Sequence, residues 1–170
     1  MNKFNVIIRT ATLVLAMIFI VTSCSKQNTP AESKPNASQA KSEPPMLVEP
    51  NAGVGKVRKG MDKQQVEAEL GQPKSKNGMA WYYSRQGILV SFGKNDVMFN
   101  IKCVKPFAGA TKEGIGIGST RADLIKAYGN PSETKQFANA EENLWFAPIA
   151  TSFYLEKGKI TSFIVHLNSK

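Results

Sequence analysis

Histidine occurs once and cysteine twice in this chain of 170 residues. These scarcities exclude a good deal of chemistry. A structural zinc site needs clustered Cys and His ligands, and no CxxC pair or Cys/His cluster is present, so no metal is expected. Two thiols cannot build a disulfide framework. No GxSxG elbow is found, and Cys103 has no neighbouring motif that would activate its thiol. The lone histidine, His166, falls in a strand-like run near the C-terminus and reads as a structural residue, not a catalyst. Acidic residues are also few, 13 against 22 basic ones. Their only adjacent pair, Glu141-Glu142, lies in a segment read as a solvated loop, where neighbours rarely converge as acid and base. No catalytic residue and no cofactor is expected, and the chain reads as a non-enzyme.

Long apolar runs are missing too. The longest, Ala11 to Val21, falls short of the roughly 20 residues that span a bilayer. It follows Lys3 and Arg9 and ends in the small polar residues Thr22, Ser23 and Cys24, the layout of a cleaved signal peptide over residues 1–23. Losing Lys3 and Arg9 takes the formal charge from +9 to +7. The remaining basic residues are scattered, which argues against nucleic acid and suits a solvated surface or anionic envelope partners.

Residues 24–52 hold five prolines, Pro30, Pro35, Pro44, Pro45 and Pro50, with nothing large and apolar before Met46. Such a segment cannot bury enough surface to offset its ordering entropy, and reads as a disordered tether; Met46-Leu47-Val48 is assigned to it too, the alternative being an edge strand. Asn36-Ala37-Ser38 matches a glycosylation sequon, to which little weight is attached.

The glycines of GIGIGST raise the prospect of a phosphate loop. Gly114, Gly116 and Gly118 do not satisfy GxGxxG, because Ser119 stands where the third glycine belongs, and no Gly-Lys-Ser/Thr follows. What they do belong to is a repeat. Lys59 to Pro73 (KGMDKQQVEAELGQP) aligns with Ile117 to Pro131 (IGSTRADLIKAYGNP): Gly60 meets Gly118, Val66 meets Leu124, Gly71 meets Gly129 and Pro73 meets Pro131. Each copy predicts a short helix. Asp62 with Gln65, and Thr120 with Asp123, form capping boxes, and the glycine followed by proline closes the helix.

Strand-like runs come next. Trp81-Tyr82-Tyr83 is followed by Ile88, Val90 and Phe92, then by a turn at Gly93–Asp96, then by Val97, Phe99, Ile101 and Cys103. Trp145-Phe146, Phe153/Leu155 and the run from Ile160 to Leu167 correspond, with a longer loop around Ala138 to Asn143. Trp81 and Trp145 take matching places and read as core residues. Cys103 reads as a core-facing strand residue, the alternative being an intermolecular bridge. The fold expected is α+β: two tandem repeats, residues 53–108 and 109–170, each a helix plus a three-stranded antiparallel meander, with the helices packed on one face of the sheet.

Two resemblances add to this. Val21-Thr22-Ser23-Cys24 resembles the lipobox of bacterial lipoproteins, which implies lipidation of Cys24 and a membrane anchor without a spanning helix. Ser25 after the cysteine points to the outer membrane in preference to the inner. The repeat itself, Gly60-Met61-Asp62 through Leu70-Gly71-Gln72-Pro73, resembles the SmpA/OmlA (BamE-like) lipoprotein family, and in tandem is similar to the β-lactamase inhibitor protein fold. The resemblance implies a non-enzymatic module that binds another envelope protein, or, alternatively, an inhibitor or ligand-capturing module of an envelope hydrolase. It supplies no binding residue, and the binding surface is left unassigned.

Overall fold

The structure, a computed structural model, describes residues 45–167. The expected signal peptide, the lipobox-like stretch with Cys24, the sequon match and most of the expected tether lie outside the described residues.

Strands dominate. In chain order they are β1 (Leu47–Glu49), β2 (Gly53–Val54), β3 (Val57–Arg58), β4 (Ser75–Asn77), β5 (Ala80–Tyr83), β6 (Ile88–Phe92), β7 (Met98–Val104), β8 (Ala110–Thr111), β9 (Glu133–Gln136), β10 (Glu141–Phe146), β11 (Thr151–Glu156) and β12 (Lys159–His166). Two helices, α1 (Lys63–Leu70) and α2 (Arg121–Tyr128), have eight residues each. The strands form an eight-stranded antiparallel sheet in the order β4-β5-β6-β7-β12-β11-β10-β9 and a four-stranded sheet in the order β3-β2-β1-β8.

This corrects the expected α+β architecture of two helix-plus-three-strand repeats with the helices on one face. The chain is mostly β. Each helix completely buries one side chain, Val66 in α1 and Leu124 in α2, whereas β6 alone buries Ile88, Val90 and Phe92. At roughly 1.5–3 kcal/mol for each large apolar side chain, strands supply most of the core energy. Segments without any apolar pattern became strands as well. Ser75–Asn77 and Glu133–Gln136 bury no side chain and edge the large sheet, held by backbone pairing to β5 and β10. Leu47–Glu49, read as tether, pairs antiparallel with β2 and parallel with β8, and Val48 is buried.

The helix ends form as read. Gln65 N–H donates to Asp62 Oδ1 at 2.9 Å while Asp62 N–H donates to Gln65 Oε1 at 3.0 Å. Thr120 and Asp123 make the same reciprocal pair at 3.2 and 2.8 Å. Gly71 and Gly129 close the helices at φ 78° with ψ near extended, a combination open essentially to glycine alone. At both, an added Cβ would meet nothing within 4 Å, so backbone conformation and not crowding requires glycine there.

The middle of the large sheet is the β7–β12 pair, with Ile101 opposite Val165 and Cys103 opposite Phe163. One face carries the core: Phe153 lies 5.8 Å from Phe163 and 5.7 Å from Phe146 by ring centroids. Cys103 is completely buried on this face, as its alternation implied, and burial pushes its thiol pKa up, away from reactivity.

One strand breaks its alternation. In β7 the pairing to β6 shifts between Ser91 and Phe92: Asn100 stands opposite Ser91 and Met98 opposite Phe92, leaving Phe99 as the extra residue of a bulge. Met98 is therefore buried, while Phe99 and Asn100 are both half-exposed and Val97 is exposed. The sequence register had Val97 and Phe99 inward; the bulge reverses it.

Candidate functional site

The face of the large sheet opposite the core carries an open groove of about 510 Å³. Its residues come from five adjacent strands, β9, β10, β11, β12 and β7. The bulge contributes two of them, because Phe99 and Asn100, consecutive in sequence, both line it.

Trp145 forms one wall. Its neighbours Leu144 and Phe146 point into the core, so strand alternation sends Trp145 to the other face, where it is half-buried. This corrects the expected core role. Trp81, by contrast, is 8% exposed and meets Phe92 edge-on at 5.1 Å. The two tryptophans hold matching places in the repeat but differ by one in register, and with a side-chain period of two one position reverses the face.

His166 forms the adjoining wall. Its ring stands at 85° to the Trp145 ring, with centroids 5.2 Å apart. Between them Ser152, opposite Trp145 in the β10–β11 ladder, is small enough to leave a depression, and its Oγ lies 3.1 Å from His166 Nε2. Desolvation lowers the His166 pKa, so the imidazole is neutral at neutral pH. The rim is polar. Glu133 lies opposite Trp145, and its carboxylate accepts from Lys135 Nζ at 3.2 Å. Asn143 donates through Nδ2 to Phe153 O at 3.3 Å.

A serine against a histidine invites an enzymatic reading, but the surroundings do not develop it. Ser152 is the second residue of a strand paired on both sides, to Trp145 and to Ile164. Among the described residues no carboxylate bonds the imidazole. The arrangement offers rings, amides and a hydroxyl to a ligand.

The other residues singled out from the sequence lie elsewhere. Glu141 and Glu142 open strand β10 instead of occupying a loop; Glu142 accepts from Arg121 Nε at 3.4 Å, and adjacent strand residues project to opposite faces. The mouth of α2, where the glycine stretch suggested a phosphate, is taken by the Asp123 carboxylate of its own capping box. Among the described residues no group of three or more His, Cys, Asp or Glu could hold a metal ion, and no helix is long and apolar enough to cross a membrane.

No protein-family model matches the chain, and no curated protein matches it. Among solved structures the chain is similar to a DUF4309 family protein, YjgB, from Bacillus subtilis subsp. subtilis strain 168. The two are 15% identical, with a TM-score of 0.47, over 62% of this chain and 77% of that one. Neither family nor function follows from a similarity of that size.

The groove was missed by sequence reasoning because its two decisive features, the bulge at Phe99 and the facing of Trp145, depend on register. One signal could have found it: in EENLWF, Leu144 and Phe146 are the better core pair, which leaves Trp145 outside.

Proposed function

We propose that this chain is a lipid-anchored, non-enzymatic binding module of the bacterial cell envelope, with the groove around Trp145 and His166 as its binding surface. The observation that carries this is an aromatic and polar concavity on a sheet face that stays open among the described residues. Anchoring rests on the lipobox-like Val21–Cys24, and Ser25 favours the periplasmic side of the outer membrane. The expected tether, cut to roughly 20 residues by the pairing of Leu47–Glu49, would at about 5–6 Å times the square root of its length give the module a reach of roughly 25 Å from the membrane.

A benzophenone amino acid in place of Tyr154, on the open face, tests the surface in living cells. Strand alternation places Tyr154 there, and Lys102 Nζ lies 5.4 Å from its ring. Adducts with envelope material should form from Tyr154, be absent from the same probe at exposed Lys112, and disappear when Trp145→Ala is added. Equal labelling at the two positions would sink the reading. Metabolic labelling with a palmitate analogue should mark the native chain and not Cys24→Ala.

A further inference from the structure

The chemistry of the groove narrows what it can hold. Every strand beneath it is paired on both sides except β9, which edges the sheet beside β10. A ligand lying over β7, β12, β11 and β10 thus meets side chains and not free backbone groups, and strand addition is open only at the outer edge of β9.

The charge pattern narrows it further. Among the described residues Glu133 and Lys135 are the only charged ones lining the groove, and they pair at 3.2 Å. His166 is uncharged at neutral pH. The lining itself therefore carries no surplus of either sign, and the cation that the same face adds, Lys102, stands beside Tyr154 and not in the lining, so the groove is not built around a single charge.

What it offers is a mixture of a particular kind. Trp145 supplies a large planar apolar surface and Phe99 a second. Asn100 and Asn143 each carry both a donor and an acceptor, and with the Asn143 amide nitrogen engaged by Phe153 O its carbonyl oxygen is left to accept. The Ser152–His166 pair can take or give a hydrogen bond according to the imidazole tautomer. A ligand matching this set is uncharged, has one apolar face to lie on an indole, and bears hydroxyls around its edge that both donate and accept. That describes a pyranose ring.

We infer that the groove is a glycan-binding site in which Trp145 carries the apolar face of a neutral pyranose, while Asn100, Asn143 and His166 bond its hydroxyls. The inference rests on the groove being the binding surface of the module. A volume of about 510 Å³ lies within the range of roughly 300–1,000 Å³ usual for small-ligand sites and admits a short oligosaccharide.

The test uses the full-length chain purified from membranes in a detergent without a sugar headgroup. It is titrated by calorimetry with the N-acetylglucosamine tetramer and with cellotetraose, and with tetragalacturonate as a charged counterpart. At least one neutral tetrasaccharide should bind in the millimolar range or tighter, with affinity indifferent to added salt. Trp145→Ala should weaken it at least tenfold, Asn143→Ala several-fold, and Trp145→Phe should retain part of it. Circular dichroism confirms that each variant is folded. Preferential, salt-sensitive binding of tetragalacturonate overturns the neutral-ligand assignment. Absence of neutral-sugar binding at 20 mM, or binding that survives Trp145→Ala, overturns the inference. If sugars fail while the Tyr154 photo-adducts still depend on Trp145, the glycan assignment falls and the binding module stands; if both fail, both fall.

Discussion

Trp145 and His166 meet at 85° with their ring centroids 5.2 Å apart, on the side of the eight-stranded sheet that faces away from the core. They come from β10 and β12, with Ser152 of β11 between them and bonded to the imidazole. Aromatic pairs in this geometry are worth about 0.5–1.5 kcal/mol beyond the area they bury. The pair makes a corner of the groove.

That corner is sensitive to pH. Burial lowers the His166 pKa below its ordinary 6.5, so the unfolded chain binds a proton more readily than the folded one. Stability contributed by the neutral imidazole is fully present above pH 6.5 and is lost as the pH falls through the lower, folded value. Urea midpoints measured between pH 7.5 and 5.5 should decline, and His166→Gln should flatten the decline. An unchanged slope in that variant would falsify the assignment of this titration to His166.

Two tyrosines, Tyr83 in the core and Tyr128 half-buried against it, should respond differently to loss of their hydroxyls. Burial pushes both phenol pKa values up to about 12. The Tyr83 hydroxyl is buried without a hydrogen-bond partner among the described residues, while that of Tyr128 bonds Thr111 Oγ1 at 2.7 Å and Glu113 Oε2 at 2.8 Å. Removing an unsatisfied buried hydroxyl is nearly neutral or stabilising, whereas removing a bonded one costs about 1 kcal/mol. Tyr83→Phe should leave the melting temperature unchanged or raised, and Tyr128→Phe should lower it.

The bulge in β7 can be read out by truncating two adjacent residues. Met98 is completely buried and Phe99 half-exposed. Met98→Ala should cost about 2–5 kcal/mol in denaturant unfolding. Phe99→Ala should cost distinctly less, its main effect falling on the groove. The opposite order is what plain alternation from Val97 to Cys103 would produce, and it would remove the bulge from the account.

Features that were legible in the sequence are those whose causes lie within a few residues. Asp62 and Gln65, or Thr120 and Asp123, satisfy each other across one helical turn, and Gly71 and Gly129 end their helices by backbone conformation. Burial of Cys103 followed from its alternation with Ile101. The tether reading failed at Leu47–Glu49 because proline content says nothing about a distant strand that needs a partner.

The amino-acid sequence by itself determined where the two helices start and stop, which strand runs are apolar enough to build a core, and that the ordinary machinery of catalysis and metal binding is scarce. Only the tertiary structure decided that polar segments such as Glu133–Gln136 become edge strands, that Phe99 is pushed out as a bulge, and that Trp145 turns from the core to the groove. The physical reason is common to all three. Backbone pairing is nearly indifferent to side-chain identity, and in a ladder with period two a single-residue shift moves a side chain from one face of the sheet to the other.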